Sequence, residues 1–179
     1  RIDHPTDAPG KVGEAFRQLR TGRPQPVAIE MPLDQLAQKA NVDLQDAVSD
    51  HTRPPVDEDA LIKAAELLAG AKAPMIFVGS GAVNCGEAVQ ALAEILQAPV
   101  IANRTGRGVV SDRHYLSMTH LAGHHLWPDA DVVLAIGTRL QQPRMNWGTD
   151  DKLKIIHVDI DPVEIKRTDT PDVAMVGDA

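Results

Sequence analysis

Two carboxylates follow a largely apolar run within residues 152–161, which read KLKIIHVDID. The run predicts a buried parallel strand that carries Asp159 and Asp161 to its carboxyl end. In open α/β sheets, ligands bind at that edge. Carboxylates there suit the hydroxyl groups of a nucleotide ribose, and they equally suit the cap of a helix that begins at Pro162. The sequence leaves both roles open for the two aspartates.

Three further loops with glycine or polar residues directly follow predicted strands. Because parallel strands point the same way, we expect these loops to meet the two aspartates along a single edge of the sheet. That convergence is the main reason to predict a ligand site. The loops are Gly79-Ser80-Gly81, Asn103-Arg104-Thr105 and Gly137-Thr138-Arg139.

The first loop and Arg139 suit a diphosphate. Glycines let the backbone approach a ligand closely, and the helix that follows could direct its amides at phosphate oxygens. The spacing Gly79-x-Gly81-x4-Gly86 departs from the dinucleotide fingerprint, however, so a simple turn is the alternative. Arg139 follows a buried strand, and a guanidinium can hold two phosphate oxygens. Its alternative role is an ion pair with a loop carboxylate.

The histidines His120, His124 and His125 form a local cluster. Histidines four apart on a helix could share a metal, but no acidic or cysteine ligand stands at a supporting spacing, so packing or ligand-edge contacts are favoured. Cys85 is interpreted as a small core or helix-start residue. We therefore predict no metal site and no catalytic residue. Weaker candidates than Arg139 for a phosphate contact are Arg104, Arg107 and Arg144, because arginines in polar loops are usually solvated.

The elements that must position these residues alternate between strand and helix. Continuous apolar strands separated by helices predict a parallel sheet covered on both faces. The predicted fold class is α/β, with a parallel, doubly wound, Rossmann-like sheet. The predicted strands are 74–78, 99–102, 131–136, 153–158 and 173–176, and the predicted helices are 57–70, 87–97 and a short one within 116–127.

The amino end predicts a helix at 13–20 and a strand at 26–30. One strand leaves both rows of backbone polar groups unpaired and needs neighbours. We therefore expect residues 1–36 to be the last part of a domain that lies upstream. Residues 37–56 are predicted to be a linker, and residues 57–179 the main domain.

Composition limits the partners and the compartment. The 179 residues are 43% hydrophobic, enough for a core, and the formal net charge of −7 disfavours nucleic acid. A single cysteine excludes an internal disulfide framework and fits a reducing, cytoplasmic location. The apolar runs are too short to cross a bilayer. We expect no nucleic-acid or membrane partner.

The order of these motifs resembles the thiamine diphosphate-dependent enzymes of the acetolactate synthase type. The segment TGRPQPVAIEMPLDQ is similar to the end of that family's amino-terminal pyrimidine-binding domain. The segments ADVVLAIGTRL, KIIHVDIDPVEI and VGDA are similar to successive signatures of its central domain. The resemblance extends over nearly the whole chain.

The resemblance implies a three-domain parent that joins or cleaves 2-oxo acids and is a homodimer or homotetramer. In such enzymes a glutamate of the first domain activates thiamine diphosphate, and a G-D-G motif with an asparagine in the third domain holds Mg²⁺ and the diphosphate. Gly177-Asp178-Ala179 departs from G-D-G, and Glu30 does not match the activating glutamate. The resemblance thus implies that this chain is not itself catalytic.

The central domain of acetolactate synthases binds FAD, and that of related decarboxylases holds ADP or nothing. Three departures from the family pattern are G-S-G for the usual glycine triplet, Asn103-Arg104-Thr105 for T-L-M, and Gln141-Gln142 for an acidic pair. The resemblance implies nucleotide contacts at Gly79, Ser80, Gly81, Asn103, Arg104, Gly137, Arg139, Asp159, Ile160 and Asp178.

Four functions remain open from the sequence. The parent is a carboligase with this nucleotide site, or a decarboxylase or lyase whose central domain is a ligand-free scaffold. Alternatively, the chain is a stand-alone nucleotide-binding or electron-transfer module, or a subunit-contact and spacing element. A nucleotide site and a purely structural domain share the same backbone pattern, so the pattern alone does not separate them.

Overall fold

The computed structural model describes residues 1–46 and 54–179. The chain divides into two compact units, Arg1–Arg53 and Pro54–Ala179. Part of the predicted linker, residues 47–53, lies outside the described residues. The assignment of residues 1–36 to a pyrimidine-binding domain and of 57–179 to a central domain stays a prediction.

The regular elements in the described part of the first unit are helices. Its helices are a 3₁₀ turn Pro5–Asp7, α1 (Ala8–Arg20) and α2 (Leu33–Leu36). The helix predicted at 13–20 is confirmed and begins earlier, at Ala8, with a proline in its first turn.

The strand predicted at 26–30 is wrong. Val27 is half-buried, the other four residues are exposed, and no strand is formed there. A backbone hydrogen bond of 2.8 Å joins Ile2 N to Glu30 O, but no ladder develops. Without a partner strand among the described residues of this unit, a segment of five residues does not make a sheet.

The second unit contains a single sheet of six parallel strands, in the order β3-β2-β1-β4-β5-β6. This order reverses between β1 and β4, as in doubly wound sheets that bind dinucleotides. The predicted α/β parallel, doubly wound fold is confirmed. The strands are β1 (Pro74–Val78), β2 (Val100–Ala102), β3 (Ser117–Met118), β4 (Val132–Ile136), β5 (Lys154–Asp159) and β6 (Val173–Val176).

Each predicted helix of this unit is present. Asp57 caps α3 by accepting a hydrogen bond of 3.0 Å from Ala60 N, and Thr119 caps α5 in the same way at 3.2 Å. Ser80–Cys85 forms 3₁₀ turns before α4, and Pro143–Trp147 forms one turn of π-helix, neither of which was predicted. The helices are α3 (Glu58–Gly70), α4 (Gly86–Leu96), α5 (His120–Leu126) and α6 (Pro162–Ile165).

The core lies on both faces of the sheet. In β1, Ile76 and Val78 pack in one cluster with residues of α3 and α4. The alternate residues Met75 and Phe77 pack in a second cluster with Trp127 and Leu140. Successive side chains of a strand point to opposite faces, so a strand buried on both sides must be apolar throughout. This double burial explains the unbroken apolar run PMIFV and fixes where the strand ends reach the edge.

Candidate functional site

The carboxyl ends of the parallel strands form one edge of the sheet. Every residue predicted to contact a nucleotide lies at this edge, while its contact with a ligand stays a prediction. Ser80, Arg104 and Asp178 are exposed, and Gly79 is buried. By strand the ten are Gly79, Ser80 and Gly81 after β1; Asn103 and Arg104 after β2; Gly137 and Arg139 after β4; Asp159 and Ile160 at the end of β5; and Asp178 after β6.

The glycines of the β1 and β4 loops contact each other directly. Gly81 N donates to Gly137 O at 3.1 Å, and Gly79 N donates to Ile136 O at 3.1 Å. A Cβ atom added to Gly81 would lie 2.7 Å from Gly137 Cα, and Gly137 itself has φ of +56°. The close approach of two backbones therefore requires these glycines, whatever they bind. They join the two loops at the point where the strand order reverses.

A hydrogen-bonded chain links the loops after β2 and β4 to His157 of strand β5. Asn103 N donates to Val78 O at 3.0 Å, and Asn103 Nδ2 donates to Thr138 Oγ1. Thr138 O in turn lies 2.8 Å from Nε2 of the buried His157. Because a carbonyl only accepts, Nε2 carries the proton and Nδ1 is an acceptor. Burial lowers the pKa of His157, so the ring is neutral at neutral pH.

In the second unit, two buried polar side-chain atoms lack a hydrogen-bond partner among the residues that the structure describes. They are His157 Nδ1 and Arg144 Nε. The expectation that Arg144 is solvated is wrong, since its side chain is 2% exposed and its Nη2 lies 3.4 Å from Asp169 Oδ2. It belongs to the π-helical turn, which the sequence did not reveal. An acceptor atom and a donor atom left unpaired in the interior favour a bound polar group near them.

Arg139 forms the ion pair that sequence analysis gave as its alternative role. Its Nε lies 3.1 Å from Oε2 of Glu164, whose side chain is 3% exposed, while half of the Arg139 side chain remains exposed. Arg167 also binds Glu164, through Nε to Oε2 at 2.7 Å and Nη2 to Oε1 at 2.8 Å. The hydrogen bonds to Glu164 raise the pKa of Arg167. Glu164 and Arg167 were missed because their sequence neighbourhood resembles any short exposed helix.

The two aspartates after β5 have different surroundings. Asp161 caps α6, since its Oδ1 accepts from Val163 N at 2.9 Å. The buried Asp159 accepts from Asp161 N at 2.9 Å through Oδ1, and its carbonyl accepts from Gly177 N at 3.1 Å. Helix capping thus accounts for Asp161. Binding of a ribose by Asp159 stays a prediction.

One open pocket of about 450 Å³ lies at this edge, within the size range of small-molecule sites. Asn103 and Arg139 line it, whereas the other eight predicted residues do not. Most of the lining comes from the turn after β4 and was not predicted from the sequence. No single signal marks that turn, because most of its residues are uncharged and it passes through Leu140, a buried residue with φ of +44°. The other lining residues are Leu140, Gln141, Gln142, Pro143, Met145 and Asn146.

Two residues of the histidine cluster, His120 and His124, pack against Trp147. The ring centres of His120 and His124 lie 4.7 and 5.0 Å from that of Trp147, and Trp127 donates from Nε1 to Gly148 O at 2.6 Å. Burial, with the charge of His124, lowers the pKa of His120. These contacts hold the end of the π-helical turn against α5. They give His120 and His124 a packing role at the far end of the turn that lines the pocket, whereas the exposed His125 contacts His124.

Cys85 lies at the start of α4 and is half-buried. Its Sγ donates to Ala82 O at 3.3 Å. Burial raises the pKa of the Cys85 thiol, and the negative charge of Asp178 raises it further. Since the thiolate is the nucleophilic form, the geometry supports the interpretation of Cys85 as a helix-start residue.

Known proteins share this sequence and this fold. The chain is 29% identical to acetolactate synthase isozyme 1 large subunit of Escherichia coli over 99% of its length, and 33% identical to glyoxylate carboligase of E. coli O157:H7 over 96%. It is 35% identical to a probable 2-ketoarginine decarboxylase of Pseudomonas aeruginosa over 98%. The chain spans about a third of the length of these relatives, namely 33%, 31% and 32%.

The fold is also found in a crystal structure. A candidate thiamin diphosphate-dependent enzyme of Mycobacterium smegmatis superposes with a TM-score of 0.81 at 21% identity, over 99% of this chain and 36% of that one. Residues 61–179 match the family described as thiamine pyrophosphate enzyme, central domain. That match covers most of the second unit, including the whole sheet edge. The chain therefore belongs to the family of central domains of thiamine pyrophosphate enzymes.

Proposed function

We propose that this chain is the nucleotide-binding central region of a thiamine diphosphate-dependent carboligase that acts on 2-oxo acids. The observation that carries the reaction class is the similarity, over 96–99% of the chain, to acetolactate synthase and glyoxylate carboligase subunits. In this proposal the ligand of the sheet edge is FAD or ADP. Thiamine diphosphate supplies the carbanion chemistry when bound.

The pocket lining supports a nucleotide. The half-exposed guanidinium of Arg139 provides a cation for phosphate oxygens. Carboxamides such as Asn103 and Gln141 offer both donors and acceptors for a sugar or a base edge. The apolar side chain of the exposed Met145 gives the same pocket a surface for a ring. A cation, amides and apolar surface together fit an adenine nucleotide or a flavin.

Magnesium and thiamine diphosphate have no such fit here. Among residues 1–46 and 54–179 there is no group of three or more His, Cys, Asp or Glu side chains that could hold a metal ion. We therefore propose no step through the metal for these residues. In the proposed enzyme both groups are held by other domains, and this chain contributes the neighbouring nucleotide site.

The proposed partners and location follow from the same assignment. We propose a homodimer or homotetramer with a small 2-oxo acid as substrate, in the cytoplasm. In the part of the chain described by the structure, no helix is long and apolar enough to cross a membrane. The reaction is tested on the complete gene product with thiamine diphosphate, Mg²⁺ and a 2-oxo acid such as pyruvate. Carbon dioxide release with a joined hydroxyketone product supports a carboligase, and release with an aldehyde product supports a decarboxylase.

Nucleotide binding is tested by titrating the purified protein into FAD while flavin fluorescence is followed. We expect a saturable change that excess ADP reverses. Arg139→Gln should weaken binding by about tenfold, the effect of one charge-assisted hydrogen bond. Arg113→Gln is the matched control, because Arg113 is also exposed but lies outside the pocket. Absence of saturable binding by either nucleotide would contradict this part of the proposal and leave the family assignment intact.

A second candidate is a decarboxylase or lyase whose central domain is a ligand-free scaffold. Two observations favour it. The glycine loops after β1 and β4 contact each other, and Glu164 pairs with Arg139. The similarity to a probable 2-ketoarginine decarboxylase also favours this second candidate. The flavin titration separates the two candidates, since a scaffold domain gives no saturable signal.

A further inference from the structure

The carboxylate of Glu164 is the most completely buried acidic group at the sheet edge. Its side chain is 3% exposed, and it lies between the guanidinium groups of Arg139 and Arg167. A buried carboxylate is costly unless it is paired and hydrogen-bonded. Two arginines on a single carboxylate exceed what pairing alone requires. The second arginine therefore indicates a role for Glu164 beyond its own ion pair.

The two arginines bind Glu164 differently. Arg167 approaches with its fork, Nε to Oε2 at 2.7 Å and Nη2 to Oε1 at 2.8 Å, and so engages both oxygens. Arg139 uses Nε alone, at 3.1 Å from Oε2. A guanidinium carries five N–H donors in one plane, so anchoring Nε fixes the plane and leaves the terminal amino groups to bind elsewhere. Arg139 also lines the pocket.

The charges of this trio sum to +1. Arg167 compensates the carboxylate through its two hydrogen bonds, so the charge of Arg139 is not cancelled by its own ion pair. Arg139 can therefore contact Glu164 and still offer a positive charge to a phosphate. The pair Glu164–Arg167 holds the Arg139 guanidinium in place without neutralising it.

We propose that Glu164, held by Arg167, is the positioning residue that aims Arg139 at the diphosphate of the bound nucleotide. The inference rests on the proposed nucleotide binding and assigns the phosphate subsite to the Arg139 end of the pocket. Glu164 does not touch the ligand. It acts through Arg139, and the preference of the site for a phosphorylated over an unphosphorylated nucleoside depends on it.

The substitution Glu164→Gln separates positioning from simple electrostatics. It removes one negative charge beside the pocket, so an electrostatic role alone would strengthen the binding of an anion. If Glu164 positions Arg139, the same change should weaken ADP binding on the order of tenfold. Binding of adenosine, which has no phosphate, should stay unchanged. Both affinities are measured by calorimetry, with folding checked by circular dichroism.

A double-mutant cycle tests whether Glu164 acts through Arg139. In an Arg139→Gln background, Glu164→Gln should have no further effect on ADP affinity, because the group that it positions is gone. Equal losses in both backgrounds, or tighter ADP binding by Glu164→Gln alone, would overturn the inference. So would a loss of adenosine binding that matches the loss of ADP binding.

If Glu164→Gln prevents folding because Glu164 is buried, Arg167→Gln tests the inference instead. Half of the Arg167 side chain is exposed, so this variant should fold. Without Arg167, Glu164 is left to neutralise Arg139, and we expect weaker ADP binding with unchanged adenosine binding. Unchanged ADP binding by this variant would overturn the inference while leaving nucleotide binding in place. Absence of ADP and FAD binding by the unsubstituted protein would overturn both the inference and the proposed function.

Discussion

At the scale of single residues, the crossing of the β1 and β4 loops depends on the absence of side chains. Gly137 combines φ of +56° with a neighbouring backbone so close that an added Cβ would overlap Gly81 and Ala82. Gly108 also has a positive φ, +93°, but an added Cβ there would meet no atom within 4 Å. The two positions therefore separate backbone strain from steric overlap.

We predict that Gly137→Ala lowers the free energy of unfolding by about 2–5 kcal/mol, the sum of left-handed strain and overpacking. Gly108→Ala carries the strain alone and should cost about 1–2 kcal/mol. Urea unfolding followed by circular dichroism measures both changes. Equal effects for the two variants would show that the loop contact does not constrain Gly137.

The buried His157 predicts a dependence of stability on pH. Burial lowers its pKa below the ordinary 6.5, so the unfolded chain binds a proton more readily than the folded protein. The contribution of the neutral ring to stability is complete above 6.5 and is lost as pH falls through and below that value. His120 has a pKa shifted in the same direction and contributes with the same sign.

We therefore predict that the free energy of unfolding decreases from pH 7.5 to 5.5, and that His157→Gln makes this decrease smaller. Glutamine keeps a donor for Thr138 O but does not titrate in this range. His114→Gln is the control, because His114 lies outside this hydrogen-bonded chain, with its Nε2 3.0 Å from Glu94 Oε1. A pH slope that is identical in the His157 variant would contradict the prediction, even if the variant is less stable at every pH.

At the scale of elements, apolar runs predicted the buried strands well. The runs ending at Val78, Ala102 and Ile136 are flanked by glycine or polar residues, and each became a strand paired on both sides. The same reasoning failed at residues 26–30, where the run has no partner strand among the described residues of its unit. The local pattern of apolar residues shows that a segment can form a strand. Whether it does depends on a neighbouring strand with which it can pair.

The candidate site was predictable only in outline. Topology alone places the ends of β1, β2, β4 and β5 on one edge, and the sequence shows that topology. The contacts within the edge are nonlocal. Gly81 meets Gly137 and Arg139 meets Glu164 across long stretches of chain, and the π-helical turn that lines the pocket has no sequence signature. Side-chain partners of this kind come from the folded structure.

At the scale of the whole molecule, the charge at the pocket has the opposite sign to the net charge of the chain. The chain carries a formal net charge of −7, whereas the guanidinium of Arg139 places a positive charge at the pocket. A local positive potential on an acidic protein attracts a small anion but repels an extended polyanion. The charge pattern therefore favours a free nucleotide over nucleic acid as the ligand of this edge.

The second unit contains a complete core of its own. Both hydrophobic clusters are made of residues between Ala60 and Val173. In the described part of the first unit, the buried hydrophobic residues are Ile2 and Ala15. Since cooperative unfolding reflects a shared core, the stability of the second unit should not depend on residues 1–53.

We predict that a protein of residues 54–179 unfolds in one cooperative transition, with a free energy within about 1 kcal/mol of that of the same unit in the longer chain. Phe77→Ala is the comparison variant. Phe77 is fully buried between Trp127 and Trp147, so its removal should cost about 3–5 kcal/mol in either length of chain. Near-ultraviolet circular dichroism during urea unfolding follows the tryptophans of this cluster. A broad, noncooperative loss of signal from the shorter protein would mean that residues 1–53 complete its core.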